Sequence, residues 1–371
     1  MIYMDNSATG GFKPNASILS AENTMRYLLA NPGRSGHRLS LVGAQIVYDT
    51  RKLLAERFNA LPERIIFTKN CTEALNLAIL GSAKKGGHVI TTVFEHNSVL
   101  RPLYYLERQG VISLSIISAS PENLLSEIKN AVQENTYLVA VTGASNVTGA
   151  VMPIDEIGAF CLANDLLFLC DGAQAGGHIP ISVNNGVSML ALAGHKGLCS
   201  IMGVGVLILD NNVDISPICF GGTGVDTFNK FQPDYYPEKL ESGTLNLPAI
   251  ASLFEGARYA IDNLLLFSNT LKNYTEKVIN TISTYNGVRC FSLPNPCGIV
   301  SFMHNTIPSN EFADILNSKY DIAVRSGFHC APLVHKFLQT DADGLVRISL
   351  APQNSQREIA TLLNAIKEII S

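Results

Sequence analysis

The sequence predicts an α/β protein that has a large domain with a mainly parallel sheet and a smaller C-terminal α+β domain. Between residues 60 and 210, short apolar runs alternate with amphipathic helical stretches, which is the pattern of a parallel sheet covered by helices. The chain has 371 residues, which is longer than one typical domain. Of these residues 47% are hydrophobic, enough to form a large core. We therefore expect an N-terminal segment, 1–20, that packs near the small domain, a large domain, 21–247, and a small domain, 248–371.

The predicted strands of the large domain are short and apolar. They span residues 64–67, 88–93, 137–142, 166–170, 188–192 and 204–209. Polar or glycine-rich residues follow their carboxyl ends. Because open α/β sheets bind ligands in the crevice outside the carboxyl ends of their strands, we expect these polar residues to converge on one site.

The second part of the chain has a different pattern. A long helical stretch is predicted at 248–285, followed by strands at 298–303 and 345–350 and helices at 310–319 and 355–370. Residues 217–237 are rich in glycine and proline. A loop of that length is uncommon unless it is functional, so we expect an ordered loop there.

Composition limits the classes of partner and location. The net charge is −4, without a block of like charges, so neither nucleic-acid binding nor a basic membrane patch is indicated. The eight cysteines are scattered without a CxxC pair, which is typical of reduced, intracellular thiols. The N-terminus turns polar too early for a signal peptide, and no apolar run reaches the roughly 18 residues of a membrane span. The sequence therefore predicts a cytoplasmic protein that binds a small molecule or another protein.

Lys196 is the first candidate for chemistry. It lies in the segment AGHKG at 193–197, directly after a predicted strand, and an amine in such a crevice can form a Schiff base with an aldehyde cofactor. A lone lysine would more simply be an ordinary surface residue. Asp171, which follows another strand, favours the functional interpretation, because a carboxylate can keep a cofactor's pyridinium nitrogen protonated.

Thr72 and His96 follow two further strands. The segment NCTEA at 70–74 opens a helix, and a helix N-terminus with a nearby hydroxyl is suited to a phosphate. The alternative is that Thr72 is a plain N-cap. His96 could lie flat on an aromatic ring, or it could be a hydrogen-bonded structural histidine.

Cys330 and Arg347 are candidates in the C-terminal part. Cys330 lies in a polar loop with Arg325 and His329, and positive neighbours make a thiol a better nucleophile. A buried, inert cysteine is a poorer interpretation here than at Cys161. Arg347 is a cation inside a predicted strand and needs a partner, either a substrate carboxylate or a buried acidic side chain.

Taken in order, these motifs resemble the cysteine desulfurases, pyridoxal-phosphate (PLP) enzymes of fold type I in the class V aminotransferase superfamily, and most closely the branch related to the SufS enzymes. The similarity runs from YMDNSAT at 3–9 to VRISL at 346–350, nearly the whole chain. The pattern Arg-x-Gly-x-His-Cys-Ala at 325–331 is the most specific part, because the lysine and the aspartate occur in many PLP enzymes.

The resemblance implies PLP as cofactor. Lys196 would form the Schiff base and move protons, Asp171 would pair with the pyridine nitrogen, and His96 would stack on the ring. Gln174 would bond the phenolic oxygen and Asn146 would lie beside the ring. The implied cofactor-binding residues are Cys71, Thr72, His96, Asn146, Asp171, Gln174, His195, Lys196 and Thr244. Of these, Thr72 and His195 would hold the phosphate, and Thr244 would reach the phosphate of a neighbouring subunit, which implies a homodimer.

The resemblance also implies the reaction. Cys330 would attack the sulfur of L-cysteine to leave a persulfide and L-alanine, and the sulfur would pass to an acceptor protein. The implied catalytic residues are Lys196, Cys330 and His96, and the implied substrate-binding residues are Arg347, Asn146 and Arg325. No metal, nucleic acid or membrane is implied.

Three positions depart from the family pattern. Ala193 stands where the family often has a serine, and Cys71 replaces a common threonine, so we expect fewer side-chain contacts to the phosphate, or backbone amides in their place. Phe328 occupies a position that is often polar, which affects the route by which a persulfide leaves Cys330.

Three other functions stay open at the level of sequence. A selenocysteine lyase would use the same residues, because selenide leaves carbon more easily than sulfide does. A non-catalytic scaffold in sulfur or metal trafficking would need none of the chemistry of Lys196, Asp171, His96 and Cys330. A PLP aminotransferase or epimerase would leave Cys330 without a role.

Overall fold

The computed structural model describes residues 1–28 and 30–371. The strands are β1 (Ile2–Tyr3), β2 (Ile65–Thr68), β3 (Gly87–Thr92), β4 (Ile112–Ile117), β5 (Thr136–Thr142), β6 (Leu167–Asp171), β7 (Met189–Ala193), β8 (Gly205–Leu209), β9 (Val288–Cys290), β10 (Ile299–His304), β11 (Ile322–Ala323), β12 (Arg325–Gly327) and β13 (Leu345–Ser349). The helices are α1 (Asn15–Tyr27), α2 (Arg38–Phe58), α3 (Cys71–Gly81), α4 (Asn97–Arg108), α5 (Pro121–Ala131), α6 (Ile154–Ala163), α7 (Leu247–Asp262), α8 (Leu264–Ile282), α9 (Ser309–Tyr320), α10 (Pro332–Leu338) and α11 (Gln356–Ile370).

The main sheet has the strand order β2-β8-β7-β6-β5-β3-β4. Strands β7, β6, β5, β3 and β4 pair in parallel, and β8 is antiparallel to both of its neighbours. The predicted mainly parallel α/β fold is therefore confirmed. The sequence analysis did not include β4, an edge strand that is only partly buried.

Helices cover both faces of this sheet, because its central strands are apolar on both faces. Every residue of β5, β7 and β8 is buried. Helices cover the sheet on both sides, and two separate hydrophobic clusters form, one around Phe168 and Leu192 and the other around Leu138 and Leu207. A strand that is buried on both faces reads as a continuous apolar run rather than an alternating one.

The helical stretch predicted at 248–285 is helical, and it consists of two helices, α7 and α8. The break lies at Asn263, which has a non-helical backbone (φ −106°, ψ 11°) and whose side-chain amide donates to the carbonyl of Tyr259 at 2.9 Å. An asparagine can satisfy the end of a helix in this way in place of the next helical bond. Helix α7 packs into the cluster of the main sheet through Leu253, whereas α8 packs into a separate cluster through Val278.

A second sheet has the antiparallel order β12-β13-β10-β9. Strand β1 pairs in parallel with β11, and Asp5 forms a bridge with Ser349. The N-terminal residues then reach the main sheet, where the amide of Gly10 donates to the carbonyl of His195 at 2.9 Å. The N-terminal segment thus links the two sheets.

Residues 217–237 contain no helix or strand. Among the residues that the structure describes, no helix is both long enough and apolar enough to cross a membrane.

Candidate active site

Lys196 lies in the connection between β7 and β8, at the carboxyl end of β7. Because β8 runs antiparallel to β7, the chain turns back here, and the amide of Gly194 donates to the carbonyl of Val204 at 3.2 Å. Burial lowers the pKa of the Lys196 amine below its ordinary value, and the positive charges of Arg347 and Arg325 act in the same direction. A lysine with a lowered pKa has a larger neutral fraction, which is the nucleophilic form.

Asp171 is the last residue of β6, and only 3% of its surface is exposed. Its Oδ1 accepts a hydrogen bond from the amide of Ala173 at 2.9 Å and one from the thiol of Cys71 at 3.7 Å. Burial raises the pKa of Cys71 well above its ordinary value, and the charge of Asp171 adds to the shift. Cys71 is therefore a neutral hydrogen-bond donor to Asp171 rather than a nucleophile.

The N-terminus of α3 lies beside these groups. Asn70 caps the helix by accepting a hydrogen bond from the amide of Glu73 at 2.9 Å, so the N-cap alternative for Thr72 was wrong: Thr72 is already within the helix. Gly205 of β8 lets the helix approach, because a Cβ there would lie 2.3 Å from the carbonyl carbon of Asn70. The positive end of α3 therefore faces the same sheet edge and is suited to an anion.

His96 caps α4 and is joined to Thr72 through Ser98. Its Nδ1 accepts a hydrogen bond from the amide of Ser98 at 3.0 Å, and the Ser98 hydroxyl lies 2.9 Å from Nδ1 and 2.8 Å from the Thr72 hydroxyl. Burial lowers the pKa of His96. Since Nδ1 accepts a main-chain hydrogen bond, the proton of the neutral ring is assigned to Nε2.

Glu95 is a buried carboxyl group that the sequence analysis did not identify. None of its surface is exposed, and its Oε1 accepts hydrogen bonds from the Thr92 hydroxyl at 2.6 Å and from the Thr142 amide at 3.1 Å. Burial raises the pKa of Glu95 to about 8. The side chain links the ends of β3 and β5 directly behind His96, and an acidic residue next to a histidine at the end of a buried strand was the available signal.

Arg347 lies on β13 and is almost wholly buried. Its Nη2 forms an ion pair with Asp5 at 2.8 Å, and its Nη1 donates to the carbonyl of Asn146 at 2.9 Å. Among the described residues its Nε has no hydrogen-bond partner. The acidic partner that was one alternative is therefore present, and the Nε–H of the guanidinium is available to a further group.

The Cys330 loop, residues 328–331, lies across from the sheet edge. The side-chain amide of Asn146 donates to the carbonyl of His329 at 2.7 Å, and the amide of Asn97 donates to the carbonyl of Cys330 at 2.8 Å. Cys330 is exposed, and the Nη2 of Arg325 lies 3.8 Å from its sulfur. The thiol opens into a cavity of about 470 Å³ whose lining includes Thr72, Asn76, His96, Ser98, Arg101 and Cys330.

Gln174 and His195 face the N-terminal segment. The side-chain amide of Gln174 donates to the carbonyl of Ser7 at 3.0 Å, and the Nδ1 of His195 lies 3.1 Å from the Thr9 hydroxyl. Burial lowers the pKa of His195 to about 4, and the charge of Lys196 adds to the shift. Both residues are within reach of Lys196, which lines a small cavity with Gln174.

Thr244 is the one predicted site residue that lies elsewhere. It is exposed in the segment before α7, where its hydroxyl accepts a hydrogen bond from Asn31 at 3.3 Å. It lines a different cavity, together with Phe67 and Lys69. The structure therefore brings the other predicted residues together within one chain, but not Thr244.

The residues of the site supply several different chemical groups. An amine with a lowered pKa, a buried acidic side chain, an imidazole and a helix N-terminus meet at one sheet edge, opposite an exposed thiol and a guanidinium. These groups suit a phosphorylated aromatic aldehyde and an amino acid. Among the described residues there is no group of three or more His, Cys, Asp or Glu side chains that could hold a metal ion.

The chain is similar to known proteins over nearly its whole length. Residues 2–362 match the aminotransferase class-V family. A probable cysteine desulfurase of Pyrococcus abyssi is 33% identical, over 100% of this chain and 94% of that protein. A probable cysteine desulfurase of Methanothermobacter thermautotrophicus is 31% identical, over 99% of this chain and 94% of that protein. The solved apo structure of a cysteine desulfurase from Thermococcus onnurineus superposes with a TM-score of 0.91 at 30% identity, covering 100% of this chain and 94% of that one.

Proposed function

The chain belongs to the aminotransferase class-V family, and from that premise we propose that it is a PLP-dependent cysteine desulfurase. It would convert L-cysteine to L-alanine and hold the sulfur as a persulfide on Cys330. The observation that carries the proposal is the exposed Cys330 thiol, which opens into the cavity lined by His96 and Thr72. Lys196 and Asp171 lie at the carboxyl ends of β7 and β6, close enough to His96 for their charges to act on it.

The residues at the sheet edge fit PLP. Asp171 is buried and would hold the protonated pyridine nitrogen, and the neutral amine of Lys196 would bind the aldehyde carbon. The close approach that Gly205 permits brings the N-terminus of α3 and Thr72 to where a phosphate would be held. When bound, PLP would supply an electron-withdrawing ring that stabilises negative charge on the substrate's α-carbon.

Lys196 has the properties of the proton carrier of the site. Burial favours its neutral amine, and the neutral amine can accept the proton from the substrate's α-carbon. His96 cannot compete for that proton through Nδ1, because this atom accepts the main-chain hydrogen bond of Ser98. This hydrogen bond fixes the orientation of the His96 ring, and burial favours its neutral form.

Arg347 would hold the substrate carboxylate. Its Nε has no hydrogen-bond partner among the described residues although it is buried, and a buried donor without a partner costs free energy that a carboxylate would recover. Asn146 would be affected by the same event, because it accepts from Arg347 and donates to the Cys330 loop.

Cys330 would take the sulfur. Its thiolate forms a bond to the substrate sulfur while the carbon–sulfur bond breaks, and the β-carbon keeps the electron pair and is protonated to give alanine. The sulfur of Cys330 is oxidised to the persulfide level and the substrate carbon is reduced, so the step needs no external oxidant. The Nη2 of Arg325 lies 3.8 Å from the sulfur and can donate a hydrogen bond to it.

We also propose a homodimer and a separate sulfur acceptor. Large apolar side chains are exposed on α1, α2 and the segment 217–237, as is typical of a surface that another chain covers. They include Ile18, Leu19, Met25, Tyr27, Leu41, Tyr48, Phe220, Phe228 and Phe231. The exposed position of Thr244 is compatible with a role toward a second subunit. The cytoplasmic location stays a prediction from the scattered cysteines.

The experiment that tests the function compares Cys330→Ala with Cys219→Ala, which alters another exposed cysteine. With PLP and L-cysteine, we expect the wild type and Cys219→Ala to produce alanine and a persulfide. Cys330→Ala should show the same cofactor absorbance but form alanine about 10²-fold more slowly, since it lacks the nucleophile. Alanine formation at the wild-type rate by Cys330→Ala would refute the role of this thiol, and a protein that binds no PLP would refute the cofactor.

A further inference from the structure

Two buried histidines lie beneath the Cys330 loop. His329 precedes Cys330, and His335 lies on α10, which begins two residues after Cys330. The two rings are stacked, with centroids 5.8 Å apart and an interplanar angle of 18°. The ring of Phe328 meets the His335 ring edge-on at 5.4 Å. His335 therefore contacts both residues that lead into Cys330.

The main chain at Cys330 needs support from its surroundings. His329 and Cys330 have φ values of 51° and 58°, in the left-handed region that residues with a side chain rarely adopt. Such conformations persist only where the surrounding structure fixes them. Hydrogen bonds from Asn146 and Asn97 fix the loop from the side of the main sheet. On the other side, the loop rests on His335.

His335 is itself held in place by Thr340. The Nδ1 of His335 lies 2.8 Å from the Thr340 hydroxyl, and the amide of Thr340 donates to the carbonyl of His335 at 2.8 Å. Thr340 accepts a hydrogen bond from the amide of Gly344, one residue before β13. His335 thus connects the Cys330 loop with the turn that leads to the strand of Arg347.

The imidazole of His335 is not an efficient filler of an apolar core. None of its surface is exposed, and its Nε2 has no hydrogen-bond partner among the described residues. Burial lowers the pKa of both His335 and His329, so the stacked pair is neutral. Since an apolar side chain would fill this space without an unpaired nitrogen, the polar contacts of the ring distinguish histidine here: the Thr340 hydroxyl at Nδ1 and the nearby main chain of Phe328.

From these contacts we infer that His335 is a positioning residue for the nucleophile: it fixes residues 328–331 so that the Cys330 thiol stays between Arg325 and the cavity of His96. The inference rests on the proposed function for its effect on turnover. It also predicts a property of the thiol that is independent of turnover. If the loop loses this support, the sulfur moves away from the Arg325 guanidinium and from its exposed position at the cavity.

The test uses two variants. His335→Phe keeps a stacked ring without its nitrogens, and Thr340→Val replaces the hydroxyl by a methyl group. Thr340→Ser is the conservative variant that restores the hydroxyl, and Lys336→Ala is a control at an exposed position on the same helix. The first measurement is the rate at which iodoacetamide alkylates Cys330, resolved by peptide mass spectrometry, with an added cysteine-containing peptide as reference. The second is kcat and KM for L-cysteine in the PLP-loaded enzyme.

We expect His335→Phe and Thr340→Val to alkylate at Cys330 about threefold more slowly, with the reference peptide unchanged, because the sulfur leaves the exposed position in which residues 328–331 hold it. Their kcat should fall about tenfold while KM stays within about twofold, because a displaced nucleophile affects the chemical step rather than binding. Thr340→Ser and Lys336→Ala should behave as the wild type.

Wild-type alkylation and kcat in both His335→Phe and Thr340→Val would overturn the inference, as would a loss in Thr340→Val that Thr340→Ser does not restore. If the wild type forms no alanine from cysteine, the proposed function fails. The alkylation rates of the folded Thr340→Val and Thr340→Ser proteins then still decide whether the support of Cys330 is real.

Discussion

At the sheet edge Asp171 and Cys71 are buried and Lys196 is half-buried, whereas in the Cys330 loop the Cys330 sulfur is exposed. Each region contains one cysteine, Cys71 at the sheet edge and Cys330 in the loop. Cys71 is enclosed and donates a hydrogen bond to Asp171, and burial raises its pKa. Cys330 is exposed and lies 3.8 Å from a guanidinium. The difference shows that environment, not residue type, decides which thiol of the site can act on a substrate.

The two regions also differ in how their geometry is maintained. The sheet edge is built from strand ends and helix starts whose positions follow from the packing of the main sheet. The Cys330 loop has two consecutive residues with positive φ and depends on Asn97, Asn146 and His335 from neighbouring elements. We therefore expect changes in the two regions to have separable effects, one on cofactor chemistry and the other on the thiol.

The largest expected effect is that of Lys196→Ala. The variant removes the amine that we propose binds the aldehyde and moves the proton, so alanine formation should fall by about 10⁴-fold or more. Alkylation of Cys330 should stay within about twofold of the wild type, because the loop keeps all its contacts. Alanine production and alkylation are measured on the same samples.

Lys367→Ala is the control for this prediction, because Lys367 is exposed on α11, outside both regions. It should leave both measurements unchanged. If Lys196→Ala still forms alanine at the wild-type rate, Lys196 is not the group that binds the aldehyde and moves the proton. If it slows alkylation of Cys330 as strongly as turnover, the two regions are not separable.

The sheet edge was predictable from the sequence because each of its residues follows a strand. Asp171, His96 and Lys196 all come directly after apolar runs, and carboxyl ends of parallel strands meet. The resemblance stated from these motifs agrees with the family match over residues 2–362. Strand β4 was missed because it alternates polar and apolar residues at the edge of the sheet, unlike the continuous runs of the buried strands.

The supports of the site were not predictable, because they join residues far apart in the chain. Asp5 pairs with Arg347 across 342 positions, and Asn146 reaches His329 across 183. Nothing in the local pattern of His335 indicates a stack beneath Cys330. The break at Asn263 depends on one side-chain hydrogen bond within an otherwise helical pattern. Local propensity carries no information on such tertiary contacts.

A smaller effect is expected for Glu95→Gln. This variant replaces an ionisable carboxyl group at the sheet edge by an amide of nearly the same size. Burial raises the pKa of Glu95 to about 8 from 4.5. The folded protein therefore keeps a proton between pH 4.5 and about 8 that the unfolded chain releases, so the stability falls as pH rises through this window. Glutamine cannot ionise, so the variant should lose a slope of up to about 1.36 kcal/mol per pH unit.

Urea unfolding at pH 5.5 and pH 7.5 measures this slope in the wild type and in Glu95→Gln. Groups that titrate in both proteins contribute equally, so the difference between the two slopes reports Glu95 alone. Glu134→Gln, at an exposed position, should retain the wild-type slope. Equal slopes in the wild type and Glu95→Gln would show that the carboxyl group is not held protonated at the sheet edge.

The smallest expected effect is that of Ser355→Ala at the start of α11, outside both regions. The Ser355 side chain accepts a hydrogen bond from the amide of Glu358, whose carboxylate accepts one from the amide of Ser355. Loss of such a capping box costs about 1 kcal/mol of stability, measurable as a lower urea midpoint. Alanine formation and alkylation of Cys330 should not change, because the contacts that hold the loop come from α10 and the main sheet. A slower alkylation in Ser355→Ala would mean that the loop responds to the stability of its whole sheet, and the separate role of His335 would be lost.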